Sequence, residues 1–133
     1  MTELLFNELE IAPDSVVMDA ARVFAGVLAQ TPQFKSYEEA AYRYRHDEIA
    51  QMRRLAYQQK QEALRALLLL NAVSPLDGAA LHRLHDEYAT HPSVAGFLEA
   101  QRALSALCQE VGGLLSDSIG LDYAAACGAS CCG

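Results

Sequence analysis

The sequence predicts an all-α protein: an antiparallel bundle of about four helices, two of them long, followed by a cysteine-rich C-terminal tail. Three observations lead there. Apolar residues recur at three- and four-residue spacing, and no alternating run marks a strand. Helix starts and stops punctuate the chain in the order that caps, prolines and glycines dictate. With 52% hydrophobic and 20% charged residues over 133 positions, the composition is globular and the chain is long enough to bury a core. Residues 1–120 read as the helical domain and residues 121–133 as the tail.

A first helix is expected from about Ser15 to Gln30, capped by Asp14 or Ser15, with Val16, Ala20, Val23, Phe24 and Val27 as its buried stripe. Thr31-Pro32 ends it. Ser36 opens a second helix, with Glu39 completing a capping box. No Pro or Gly interrupts that helix before about Leu70, so at ~1.5 Å per residue it would be about 50 Å long. Ile49, Met52, Ala56, Ala63, Ala66 and Leu70 mark its seam at three- and four-residue spacing, and Asn71-Ala72-Val73-Ser74-Pro75 breaks it. Asp77 to Ala89 is a third, shorter helix with Leu81, Leu84 and Tyr88 on one face. Thr90-His91-Pro92 is a turn, with Pro where a helix start tolerates its missing N–H. The fourth helix carries the clearest stripe, from Val94, Phe97 and Leu98 through Leu104, Leu107, Cys108 and Val111 to Leu114, Leu115 and Ile119. Gly112-Gly113 within it would allow a kink or a close neighbour, and Gly120 is the expected C-cap. Apolar seams this long call for a second chain, so at least a dimer is expected.

Net charge is −7, unevenly spread. Residues 1–42 carry −5, residues 43–65 carry +3 and residues 66–133 carry −5. Arg43, Arg45, Arg53 and Arg54 in the basic segment are candidates for docking an acidic partner, set against the plainer reading of a solvated helix face. Tyr42, Tyr44 and Tyr57 lie in or beside that segment. Tyr37, Ala41 and Tyr44 nevertheless follow helical packing spacing, and the acidic bulk argues against direct RNA binding. The acidic N-terminus lacks the pattern of a signal peptide, and the longest apolar stretch, Ala66 to Leu70, is too short for a membrane span. A cytoplasmic location with reduced thiols is the expectation.

Three of four cysteines, Cys127, Cys131 and Cys132, fall in the last seven residues among Gly128, Ala129, Ser130 and Gly133. So short a tail cannot pack a core around them. Thiolates there suit a metal ion or an iron–sulfur cluster, with an idle tail or a redox-active thiol pair as the plainer readings. Cys131 and Cys132 are adjacent and point opposite ways in an extended chain, so both reach one site only through a tight turn. No phosphate loop, dinucleotide fingerprint, nucleophile motif or acid–base pair of carboxylates appears, which argues against an enzyme.

Ala21-Arg22-Val23-Phe24-Ala25 leading into Thr31-Pro32-Gln33-Phe34-Lys35-Ser36-Tyr37, and later His91-Pro92-Ser93-Val94-Ala95-Gly96-Phe97-Leu98-Glu99-Ala100, resemble the YlbF/YmcA family of bacterial regulators. The likeness runs from about Ala20 to Tyr123 and then into the cysteine tail; it rests on the order of packing and turn residues. It implies a non-enzymatic helical adaptor that assembles with its own kind and with a YaaT-type partner, in complexes associated with iron–sulfur clusters. It further implies an influence on mRNA processing by the membrane-anchored endonuclease RNase Y, and so on competence, biofilm formation and sporulation.

A [4Fe–4S] cluster usually takes four thiolates and the tail supplies three. The fourth ligand is then another subunit, a small molecule or Cys108, which in an apolar stripe is more often a small packing residue. Zinc on the same cysteines is the chemical alternative. His82 and His85, at i and i+3 beside Asp86 and Glu87, are a weaker metal candidate against a solvated face. His46 and His91 have no partner that the sequence reveals.

Overall fold

The computed structural model describes residues 13–127, and these are all-helical, as the sequence predicts. The helices are α1 (Asp14–Ala29), α2 (Pro32–Arg45), α3 (Glu48–Ala63), α4 (Arg65–Leu69), α5 (Pro75–Ala89), α6 (Pro92–Ile119) and α7 (Tyr123–Cys127).

Side-chain caps open α2, α3, α5 and α7, whereas α1 starts on Pro13 with no side-chain cap, so neither Asp14 nor Ser15 caps it as expected. Thr31 serves two helices: its hydroxyl donates to the Leu28 carbonyl at 2.7 Å, closing α1, and accepts from the Phe34 N–H at 3.3 Å, opening α2. With Pro32 at the first helical position, this start takes precedence over the Ser36/Glu39 box, and Ser36 lies inside α2. Ser74 and Pro75 repeat the device for α5, which therefore begins before Asp77. Asn71 adopts φ 56° in the break before α5, and Gly120 closes α6 at φ 70°, as expected of it.

The long second helix is not found. The chain leaves helical geometry at Asp47, whose carboxylate accepts from the N–H groups of Ile49 and Ala50 and starts α3 afresh. A second interruption at Leu64 sets α4 apart. An Asp side chain offers the backbone a cap in place of a continuing ladder, so neither Pro nor Gly is needed to break the helix. Only α6, with 28 residues, is long.

The chain folds back on itself in two antiparallel pairs, α2 against α6 and α3 against α5. Tyr37, Ala41 and Tyr44 form a half-buried seam on α2, as their spacing predicts. The Phe97 ring lies 5.7 Å from that of Tyr37 and stacks at 5.0 Å on that of Tyr44. Leu81, Leu84 and Tyr88 are half-buried on α5, also as expected. The α3 seam differs: Ile49, Met52 and Leu70 are exposed, while Ala50 and Leu64 are buried and Arg53, Tyr57 and Lys60 half-buried. Long polar side chains fill this seam because their aliphatic stems cover apolar surface while their heads find partners across it. Lys60 meets Asp77 at 2.9 Å, and that ammonium, followed by the Ser74 hydroxyl, lowers the Asp77 carboxyl from its ordinary value.

Among the described residues only Ala50, Leu64 and Val94 are buried. The expected α1 stripe is not buried: Val16, Val23, Phe24 and Val27 are exposed, Val23 by 69%. The stripe of α6 divides. Val94 is fully buried and Phe97 half-buried, whereas Leu114, Leu115 and Ile119 are exposed, as is Cys108. The reason is length, since α2 spans 14 residues and α6 spans 28. Gly112 and Gly113 leave α6 unbroken, and a Cβ at either would meet nothing within 4 Å.

Candidate functional site

Two features stand out, a polar junction at mid-molecule and a bare apolar end that leads into the cysteines. The junction forms where the α2–α3 break meets the α5–α6 turn. Asp47 Oδ1 caps α3, and Asp47 Oδ2 accepts from His91 Nε2 and from the Ser93 hydroxyl, each at 2.7 Å. Arg53 donates to the Glu87 carbonyl at 2.8 Å and, at a long 3.5 Å, to His91 Nδ1. This places the imidazole proton on Nε2 toward the carboxylate. The Asp47 carboxyl is pulled down from 3.8 to about 2, first by the Ser93 hydrogen bond, then by His91 and the Ala50 N–H. Both imidazole nitrogens and both carboxylate oxygens are engaged, so the cluster is a latch between helix pairs and not a proton-transfer pair awaiting substrate. The sequence reading places Asp47 inside a helix running to Leu70; His91 and Ser93, 44 and 46 residues away, carried no local sign of the latch.

A second cross-link lies nearby. The hydroxyls of Tyr44 and Tyr88 share a hydrogen bond of 2.7 Å. Burial first, and then the Tyr44 hydroxyl, push Tyr88 up to about 12. The native state thus holds this proton more tightly than the unfolded chain, and the stability it contributes is complete below pH 10 and is lost as pH rises toward 12. Ultraviolet titration is expected to show a phenol ionising well above the ordinary value of 10. Tyr88→Phe should remove that phase and cost about 1 kcal/mol; a titration unchanged by the substitution would exclude the assignment.

The four candidate docking arginines do not share one surface role. Arg43 points outward, 3.9 Å from Glu39, and Arg45 donates to the Ala41 carbonyl. Arg53 belongs to the latch, and Arg54 is half-buried with hydrogen bonds to Gln51 and Gln58. His46 stacks on Tyr42 at 4.1 Å. His82 and His85 each approach Asp86, at 3.2 and 3.5 Å. Among the described residues no group of three or more His, Cys, Asp or Glu side chains gathers where it could hold a metal ion.

At the other end, Gly120 reverses the chain and α7 packs back on α6, where the Tyr123 N–H donates to the Ser116 hydroxyl at 3.1 Å. Asp122 caps α7 through the Ala125 N–H. Cys127 is the last residue of α7, one turn beyond the Tyr123 N–H that Ser116 holds. Cys131 and Cys132, like the side chain of Cys127, lie outside the described residues. The shallow surface depressions offer no enclosed site: one of about 320 Å³ lies over Gln61, Glu62, Arg65, Leu68 and Leu69, the other over the Tyr37–Tyr44–Phe97 seam. No helix among the described residues is long and apolar enough to cross a membrane.

Comparison with known proteins gives one result. No curated protein and no solved structure matches the chain. The family described as "Control of competence regulator ComK, YlbF/YmcA" matches residues 17–120, which include the α1–α2 turn, the latch and the whole of α6. With most of its length accounted for by that match, the chain belongs to the YlbF/YmcA family of competence regulators.

Proposed function

We propose that this regulator is a non-enzymatic, cytoplasmic adaptor that works in complexes with its own kind and with YaaT-type partners, and that it modulates RNase Y-dependent mRNA processing. The observation that carries this reading is the bare apolar end. With three buried residues among those described, the apolar side chains of α1 and of Leu114, Leu115 and Ile119 on α6 face water, and exposed patches of that kind mark protein–protein surfaces. Nothing in the latch or the depressions supplies a reaction centre to set against it.

Cys127, Cys131 and Cys132 would hold an iron–sulfur cluster of the [4Fe–4S] type. The donor set fits it in kind, with three thiols within six residues and glycines around them. The cluster would supply a redox- or iron-sensitive link to the complex, with the fourth ligand coming from outside the tail. Zinc on the same thiols is the second reading, favoured by three thiolates needing only one further His or Cys for a tetrahedral site.

Full-length protein purified without oxygen is expected to contain matched iron and acid-labile sulfide, and the Cys127→Ser/Cys131→Ser/Cys132→Ser variant is expected to lose both while keeping its helicity. Stoichiometric zinc would replace the cluster reading with the zinc one. Iron unchanged in the triple variant would remove the tail from either.

A further inference from the structure

Toward its C-terminal end, α6 carries exposed apolar side chains with acids along their edge and no base to answer them. Leu114, Leu115 and Ile119 are exposed, Leu114 by 67%. Glu110, Leu114 and Asp117 stand at i, i+4 and i+7, so the two acids and the leucine share one row of the helix. Leu115 and Ile119, at i and i+4, form a second row. Both acids are exposed. Arg102 is the last basic residue in the sequence and pairs with Glu99 at 2.8 Å, while residues 103–133 hold no Lys, Arg or His. Local stability does not call for this charge. Asp117 lies in the last turn of α6, where an acid opposes the helix dipole, and no base stands there to offset it.

We infer that this side of α6 receives a basic amphipathic helix of another protein, whose apolar side chains meet Leu114, Leu115 and Ile119 while its Lys or Arg side chains meet Glu110 and Asp117. This rests on the adaptor reading above and names the chemistry of the partner. Charge selects the occupant. Residues 1–12 of the sequence contribute Glu3, Glu8 and Glu10 with no base, and residues 128–133 contribute no base either. A second copy has all its bases between Arg22 and Arg102, and most of these already pair with acids of their own chain. A helix with a cationic edge gains both the apolar burial and the two charge pairs. Complementarity of that kind fixes register and discriminates between partners.

The probe is a labelled helical peptide of about 18 residues built from Leu and Lys, with the leucines on one face. Its binding to the full-length chain is read by fluorescence anisotropy at about 0.15 M salt. Wild type is expected to bind it in the micromolar range, and to bind a Leu/Glu peptide of the same pattern about 30-fold more weakly. Glu110→Lys/Asp117→Lys should weaken binding of the Leu/Lys peptide about tenfold, and Leu114→Ser/Ile119→Ser by a similar factor. Glu38→Lys/Glu48→Lys makes the same change in net charge on exposed acids of α2 and α3, and should weaken it less than about threefold. Helicity should persist, because the four substituted positions on α6 are exposed and Lys suits the end of a helix. Should the Lys pair lose helicity, Glu110→Gln/Asp117→Asn gives the same comparison with a smaller effect.

Equal binding of the two peptides would overturn the selection by charge. An equal loss in the Glu38→Lys/Glu48→Lys control would trace binding to the net charge of −7 and remove the site. Binding indifferent to Leu114→Ser/Ile119→Ser would remove the apolar contact. A wild type that ignores the peptide but self-associates, and loses that association in Leu114→Ser/Ile119→Ser, would give this side of α6 to a second copy and overturn the proposal. Iron content, read on the same samples, is a separate measurement, so failure of this surface and failure of the cluster reading are distinguishable.

Discussion

Asp47→Ala is expected to melt on the order of 10 °C below the wild-type chain, the combined effect of losing a helix cap and a tertiary tether. One carboxylate satisfies the first turn of α3 and, through His91 and Ser93, fixes the α5–α6 turn against the α2–α3 break. Removing it leaves two backbone donors, an imidazole and a hydroxyl without their acceptor. Asp47→Asn keeps a good cap but presents an amide to His91, and it should fall between the two. The pH dependence follows from the lowered carboxyl. The native state binds this proton less tightly than the unfolded chain, so the stabilisation is complete above about pH 4 and is lost as pH falls toward 2. The gap in melting temperature between wild type and Asp47→Asn, measured by circular dichroism, should narrow across that window. An Asp47→Ala variant melting within about 2 °C of wild type would show that the latch contributes little.

Val94→Asp should be more damaging still and is expected to abolish cooperative unfolding. Val94 is fully buried near the start of α6, the part of that helix packed on α2. A carboxylate there is withdrawn from water, at a cost of several kcal/mol, comparable to the whole stability of a domain at ~5–15 kcal/mol. Val94→Thr nearly preserves shape while adding a hydroxyl, and should cost about 1–3 kcal/mol in urea unfolding. Leu69→Asp puts the same charge on a side chain 81% exposed, and should change stability by less than about 0.5 kcal/mol. If Val94→Asp unfolded at the same urea concentration as Leu69→Asp, the α2–α6 seam would not be where this chain keeps its core.

The sequence made local events legible and left distant ones hidden. Pro92 and Gly120 could be read as a start and a stop because their chemistry acts within four residues. The Tyr37, Ala41 and Tyr44 seam could be read because helical spacing places those residues on one face whatever lies opposite. The break at Asp47 could not be set against a helix running to Leu70, because what holds it open includes His91 and Ser93 from the far side of another turn. The stripe of α1 was legible as apolar, but burial depends on what covers a stripe, and no residue within α1 records that. The same holds for the candidate metal site. Three thiols and their glycines are written in order at the chain end, whereas a fourth ligand belongs to whatever approaches them.

The left-handed turn at Gly120 has a consequence for ligand supply. Because it turns the chain at the end of α6, α7 starts beside Ser116 and ends at Cys127. From there five residues reach Cys132, at most ~18 Å of chain. Chain length alone therefore keeps Cys131 and Cys132 within that reach of the end of α7. A partner docked on the exposed Leu114, Leu115 and Ile119 would present a ligand of its own at an effective concentration on the order of millimolar. Completing a coordination sphere would then be a reaction within one assembly instead of a search through solution.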